Sequence, residues 1–174
     1  MVEEERIKSI RRIGLVSTIV LGLLFHELYK STGVPFLAFI SPVNESKWEH
    51  WKMAYSPMVI VGTIEYVMLK RTNWKLPNYL FSIAGGIAVF ELTTFGLIEL
   101  YEIVFGHSHL GVHVSTFLLG AYAGHRGKYW ILNHLKPSRL LTVVGAVLLI
   151  VQFVIFAFFT YSPPRLDYFK DSIT

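Results

Sequence analysis

Leu140 to Tyr161 reads LLTVVGAVLLIVQFVIFAFFTY, with Gln152 its only strongly polar interior side chain. A helix crossing the hydrocarbon core of a bilayer needs about 20 mostly apolar residues. This stretch meets that need, and Ser162-Pro163-Pro164 stops it. It predicts a spanning helix over residues 139–161. The same reading, carried back along the chain, finds four more segments, at about 110–125, 79–105, 53–70 and 13–30. The expected fold is therefore all-α: a polytopic transmembrane bundle of about five helices, forming one domain over residues 1–174.

Composition agrees. The chain is 53% hydrophobic and 16% charged, against roughly 25% charged in an average soluble domain. The charges cluster between the apolar stretches. The net charge of +4 comes with no basic stripe of interleaved aromatics, so nucleic acid is not an expected partner; the bilayer is. Cysteine is absent, which removes disulfide, iron–sulfur and thiol chemistry. Residues 1–12 are charged and precede an apolar run, as in a signal peptide. No small-residue cleavage site follows, so the run is expected to remain as the first helix, with Lys30 at its far interface.

Between the first two apolar segments, Ser41-Pro42 has the form of a helix start. It predicts a short amphipathic interfacial helix over Val43–Trp51. Pro57 is expected to kink the following helix. Gly85, Gly86 and Gly96 in the third segment, and Gly120 and Gly124 in the fourth, would allow helices to approach closely. Trp48, Trp51, Tyr29 and Tyr101 read as an interfacial aromatic belt, and His125 and His134 as interfacial residues. Glu65 is expected to pair with Lys70 or another basic group near the inner interface, and the last residues to form a polar tail.

Five crossings put the termini on opposite sides. With the N-terminus in the cytoplasm and the C-terminus outside, Lys and Arg number eleven on the inner segments and five on the outer ones. The positive-inside rule favours that orientation in the cell membrane. The loops before the second and fourth helices then share the outer face.

These two loops carry the unusual polar chemistry. The first holds Glu45, Glu49 and His50; the second holds His107, Ser108, His109 and His113. His109 and His113 are spaced i, i+4, which lets two imidazoles meet one ion. His26 lies at the outer end of the first helix. Ionisable groups inside a membrane are costly and normally face partners or a cavity. A divalent transition metal, zinc-like, held by His26, His50, His109 and His113 would offset that cost, with Glu45 or Glu49 as general base on metal-bound water. This is the first functional reading, a metal-dependent membrane hydrolase acting on a small molecule or lipid. A second takes Glu65, Glu91 and Glu99 as an ion path through a proton- or cation-translocating protein, expected to be a homo-oligomer. A third is a non-catalytic or haem-binding membrane subunit.

The segment Ser41-Pro42-Val43-Asn44-Glu45-Ser46-Lys47-Trp48-Glu49-His50 resembles the signature of a family of small prokaryotic multi-pass membrane proteins, catalogued as a domain of unknown function. A histidine in the first helix, here His26, and a Pro-Pro before a short acidic tail, here Pro163-Pro164 through Asp171, extend the resemblance over most of the chain. It implies a multi-pass membrane fold and no particular activity. Intramembrane zinc hydrolases similar to alkaline ceramidases offer only an analogy. They use three His, an Asp and a Ser in a seven-helix bundle, and here both aspartates, Asp167 and Asp171, lie in the tail.

Overall fold

A computed structural model describes residues 2–171. Over those residues the chain is all-helical. Five long helices, α1 (Val2–Thr32), α3 (Lys52–Leu69), α4 (Tyr79–Phe105), α5 (Leu110–His134) and α6 (Arg139–Tyr161), are joined by short connections. A single turn, α2 (Lys47–His50), precedes α3, and 3₁₀ turns cover Pro35–Phe39 and Asp167–Phe169. Two helices, α4 and α6, are long and apolar enough to cross a membrane.

Boundaries differ from expectation where charged residues flank an apolar run. α1 begins at Val2, so the charged residues before Ile13 continue the helix. α5 runs unbroken to His134, absorbing the aromatic piece expected to lie separately. Helix α2 is one turn rather than a helix over Val43–Trp51, and its cap is Ser46, whose Oγ accepts from the Glu49 amide at 3.3 Å. Ser41 has another role, described below. At the opposite end Asn78, left-handed at φ 55°, accepts from the Ser138 amide at 2.9 Å and donates to the Lys136 carbonyl at 2.9 Å, tying the α5–α6 turn to the start of α4.

The closest packing is between α4 and α5. A Cβ built on Gly124 would lie 2.7 Å from the Gly86 carbonyl oxygen. Two backbones approach there because neither carries a side chain. Gly96, by contrast, has nothing within 4 Å. Helix α1 packs on α3 and α6 on α4. Met58, Leu69, Ile87, Phe90, Tyr129 and Phe156 fill the middle.

Trp48 and Trp51 turn inward instead of forming a belt. Trp51 stacks on Phe95 at 5.0 Å, and Trp48 stacks on Phe169 at 4.9 Å. The tail is folded back, with Trp51 Nε1 donating to the Tyr168 hydroxyl at 2.8 Å. The aromatic side chains of the Asp167–Phe169 turn supply that contact.

Exposure is inverted relative to a water-soluble bundle. Lys52 and Lys128 are 0% exposed and Glu65 2%, whereas Leu92 is 71%, Ile103 79% and Leu140 71% exposed.

Candidate metal centre

His26 lies on α1, Glu45 in the loop before α2, and His50 at the end of α2. The loop is held to α1 by Ser41. Its hydroxyl donates to the Phe25 carbonyl at 2.5 Å and accepts from the Tyr29 amide at 3.0 Å. Those are the two groups that an uninterrupted α-helix pairs with each other. Asn44 then turns the chain by accepting from the Ser46 amide at 3.0 Å, and the Ser46 cap starts the turn that delivers His50.

The three side chains converge. His26 Nε2 is 3.2 Å from His50 Nε2, and Glu45 Oε2 is 3.5 Å from the first and 3.3 Å from the second. The other ring nitrogens are committed. His50 Nδ1 donates to the Ser46 carbonyl at 2.8 Å, and His26 Nδ1 donates to Glu27 Oε1 at 2.5 Å. Both acceptors lack protons, so in neutral imidazoles the Nδ1 atoms carry the hydrogens and the Nε2 lone pairs face each other. Orienting a ligand histidine through its second nitrogen is the usual support of a metal site. Glu45 is oriented in the same way: its second oxygen, Oε1, is bound by the Lys30 ammonium, which also reaches Glu27 at 2.9 Å.

The edges of this triangle have the size a metal requires. Bonds of roughly 2.0–2.1 Å around a tetrahedral ion put ligand atoms about 3.3–3.4 Å apart; an octahedral ion would put neighbours nearer 2.9–3.0 Å. The observed 3.2, 3.3 and 3.5 Å fit the tetrahedral spacing better. The His26, Glu45 and His50 side chains keep 31%, 19% and 25% exposure, so one side of the triangle opens outward. Burial is the main force lowering the His50 pKa, only partly opposed by the Ser46 carbonyl and Glu45. For Glu45 burial pushes upward, but the Lys30 ammonium, with His50 and His26, outweighs it and holds the carboxyl below its usual range. Both shifts favour the metal-binding protonation states.

The other expected site residues go elsewhere. Glu49 is buried in a clamp: Lys52 donates to it at 2.5 Å, to the Ala38 carbonyl at 2.8 Å and to the Thr160 hydroxyl at 2.6 Å, while the Val43 amide reaches Glu49 at 3.0 Å. It joins the loop to α6 and is not free to act as a base. Lys47 bridges Glu99 at 2.7 Å and Glu102 at 2.5 Å. Ser108 donates to Glu102 at 2.6 Å and accepts from His113 Nε2 at 2.8 Å. His109 stands at the N-cap of α5 in extended conformation, its Nε2 3.5 Å from the Tyr101 hydroxyl, so His109 and His113 are turned to different hydrogen-bond partners. Glu65 meets Lys128, so the basic partner expected for it is Lys128 and not Lys70, and it also accepts from the Tyr129 hydroxyl at 2.7 Å. Glu91 accepts from Gln152 at 2.5 Å. His125 is buried, with Nε2 2.9 Å from the Thr18 hydroxyl.

Residues 3–174 match the family of unknown function DUF6512. The chain belongs to this family. No curated protein and no solved structure matches it. The family match takes in the whole of α1 from Glu3 and the loop that carries Glu45 and His50, so all three converging residues lie within it. Sequence reasoning named those three but missed Ser41, Glu27 and Lys30 as their supports. The adjacency of Glu27 to His26, with Lys30 one turn on, was the available signal.

Proposed function

We propose that this member of DUF6512 is a five-span membrane protein that holds one divalent transition metal ion, zinc before others, on His26, Glu45 and His50. Its fourth coordination position stays open to water or substrate. The observation that carries the metal reading is the triangle of ligand atoms with tetrahedral edges, backed by a separate acceptor on each histidine. A site with three protein ligands and one open position is the arrangement in which zinc lowers the pKa of bound water towards 7, so hydrolysis is the chemistry we assign. Glu45, as a ligand, is not the base in this reading.

The inverted exposure supports the spanning reading for α1, α3 and α5 as well as for the two most apolar helices. Glu65 on α3 and Lys128 on α5 are turned inward and neutralise each other, and much of the outer surface is left to Leu, Ile and Val. Pairing of this kind offsets a cost of roughly 2.5–3.5 kcal/mol for a charge at mid-membrane on insertion scales.

The other readings draw less support. Glu65, Glu91 and Glu99 each have a separate partner, which suits architecture better than conduction. Two Nε2 atoms 3.2 Å apart leave no room for a haem plane between them.

The decisive experiment is elemental analysis of the full chain purified in detergent and equilibrated with zinc, beside the His50→Ala variant. One zinc per wild-type chain, lost in the variant, is expected. A wild type without stoichiometric metal overturns the assignment.

A further inference from the structure

We infer that a second site, between α1 and α5 at the end of the bundle away from His26, binds the phosphate headgroup of one anionic phospholipid. The inference rests on the membrane-spanning part of the proposal and is independent of the metal. Arg11 is fifteen residues before His26 on α1, about 22 Å along a helix.

A cavity of about 110 Å³ is lined there by Arg11, Arg12, Arg126, His125, Tyr122 and Tyr129. Among the described residues every ion pair uses a lysine or a histidine, and none of these three guanidinium groups has a carboxylate within reach. The nearby Lys128 already has its counter-charge in Glu65. Three unneutralised forks of donors around one cavity suit the oxygens of a phosphate. Arg11 is held in place by the Tyr129 ring, its guanidinium carbon 4.2 Å from the centroid.

His125 gives an independent sign of a missing partner. The residue is 4% exposed, its Nε2 is spoken for by Thr18, and its Nδ1 is buried with no hydrogen-bond partner. Buried polar atoms without partners are rare and call for an explanation such as an absent ligand. A phosphate oxygen in the adjoining cavity would accept from Nδ1–H.

The surroundings favour a lipid over free phosphate as the source. On the same two helices, Val16 is 58%, Leu118 42% and Leu119 54% exposed. An amphiphile with its headgroup among the arginines would lay its chains along that apolar surface; inorganic phosphate would use only the polar half. Basic pockets between helices at a membrane boundary are the expected receptors for such headgroups.

The test uses the purified full chain in neutral detergent, titrated with dioleoylphosphatidylglycerol, dioleoylphosphatidylcholine or inorganic phosphate and read by native mass spectrometry. One phosphatidylglycerol per chain is expected to persist, with phosphatidylcholine and inorganic phosphate failing to displace it at equal concentration. Arg12 and Arg126 are exposed, so Arg12→Gln with Arg126→Gln should fold and weaken retention at least tenfold, since each basic group near an anionic lipid contributes severalfold. The same charge removed at the other end, in Arg165→Gln with Lys170→Gln, should leave retention unchanged. Equal retention in the first variant and wild type, equal binding of the two lipids, or displacement by inorganic phosphate would each overturn the inference. Release of the chain from membranes by alkaline carbonate without detergent would instead overturn the spanning reading, and this inference with it.

Discussion

His26 and His50 face each other Nε2 to Nε2 across 3.2 Å, each with its Nδ1 proton already donated elsewhere. Two lone pairs at that distance repel unless a proton or a cation lies between them. The two cases separate experimentally, because only the second depends on the supporting acceptors in a metal-concentration-dependent way.

Glu27→Gln removes the charged acceptor behind His26 without touching a ligand atom. Zinc affinity, measured by competition with a chelator of known strength, should fall about 10- to 100-fold, the usual cost of losing an outer partner. An unchanged affinity would show that the Glu27 contact does not support the site.

The protonation states set a pH dependence. His50 has its pKa lowered in the fold, so above the ordinary histidine value near 6.5 it is neutral in both folded and unfolded chains and has no effect on their balance. As pH falls through that value the unfolded chain takes up the proton first, and stability declines. Glu45, also lowered, adds a further decline below about pH 4.3. Thermal melts of the metal-free protein in detergent should fall from pH 7 to pH 5, and more shallowly in His50→Gln.

Glu65 and Lys128 form an ion pair with side chains 3% and 0% exposed. Lys128→Ala leaves a buried carboxylate unpaired and should cost about 3–5 kcal/mol. Glu65→Gln combined with Lys128→Met should recover most of that loss. If the double variant melts no higher than Lys128→Ala, the penalty does not come from the stranded charge.

Close helix approach should make one glycine intolerant and another permissive. Gly124→Ala would place a methyl 2.7 Å from the Gly86 carbonyl oxygen and should destabilise by about 1–3 kcal/mol, as overpacking does. Gly96→Ala meets nothing within 4 Å and should stabilise by up to about 1 kcal/mol through helix propensity. Equal melting temperatures for the two would contradict this packing.

The helical class was legible because apolar run length is a strong signal, and α4 matched its expected bounds of 79–105. Charge is a poor stop signal: α1 continues through Arg12 and α5 through His125. A helix carries charge freely when the side chain reaches solvent, as at Arg126, or a buried partner, as at Lys128. The site was half legible. His26, Glu45 and His50 were named, but the helix expected over Val43–Trp51 is only one turn long. Helix α2 starts at Lys47, so Glu45 falls beside the histidines while Glu49 turns towards Lys52. The i, i+4 rule also paired His109 with His113, although His109 is the extended cap, where that rule has no force. Pairings distant in sequence, such as Thr18 with His125, leave no periodic trace.

Ser41 bonds both members of one rung of α1, the Phe25 carbonyl and the Tyr29 amide. Helix and loop therefore share a hydrogen-bond ladder at the level of His26, and neither can shift along the axis without opening the other. Strain on the loop, from a docking molecule or from the tail resting on Trp48 and Trp51, would be transmitted as a local change of pitch. The distance between His26 and His50 would then be tuned by a hydroxyl that touches neither.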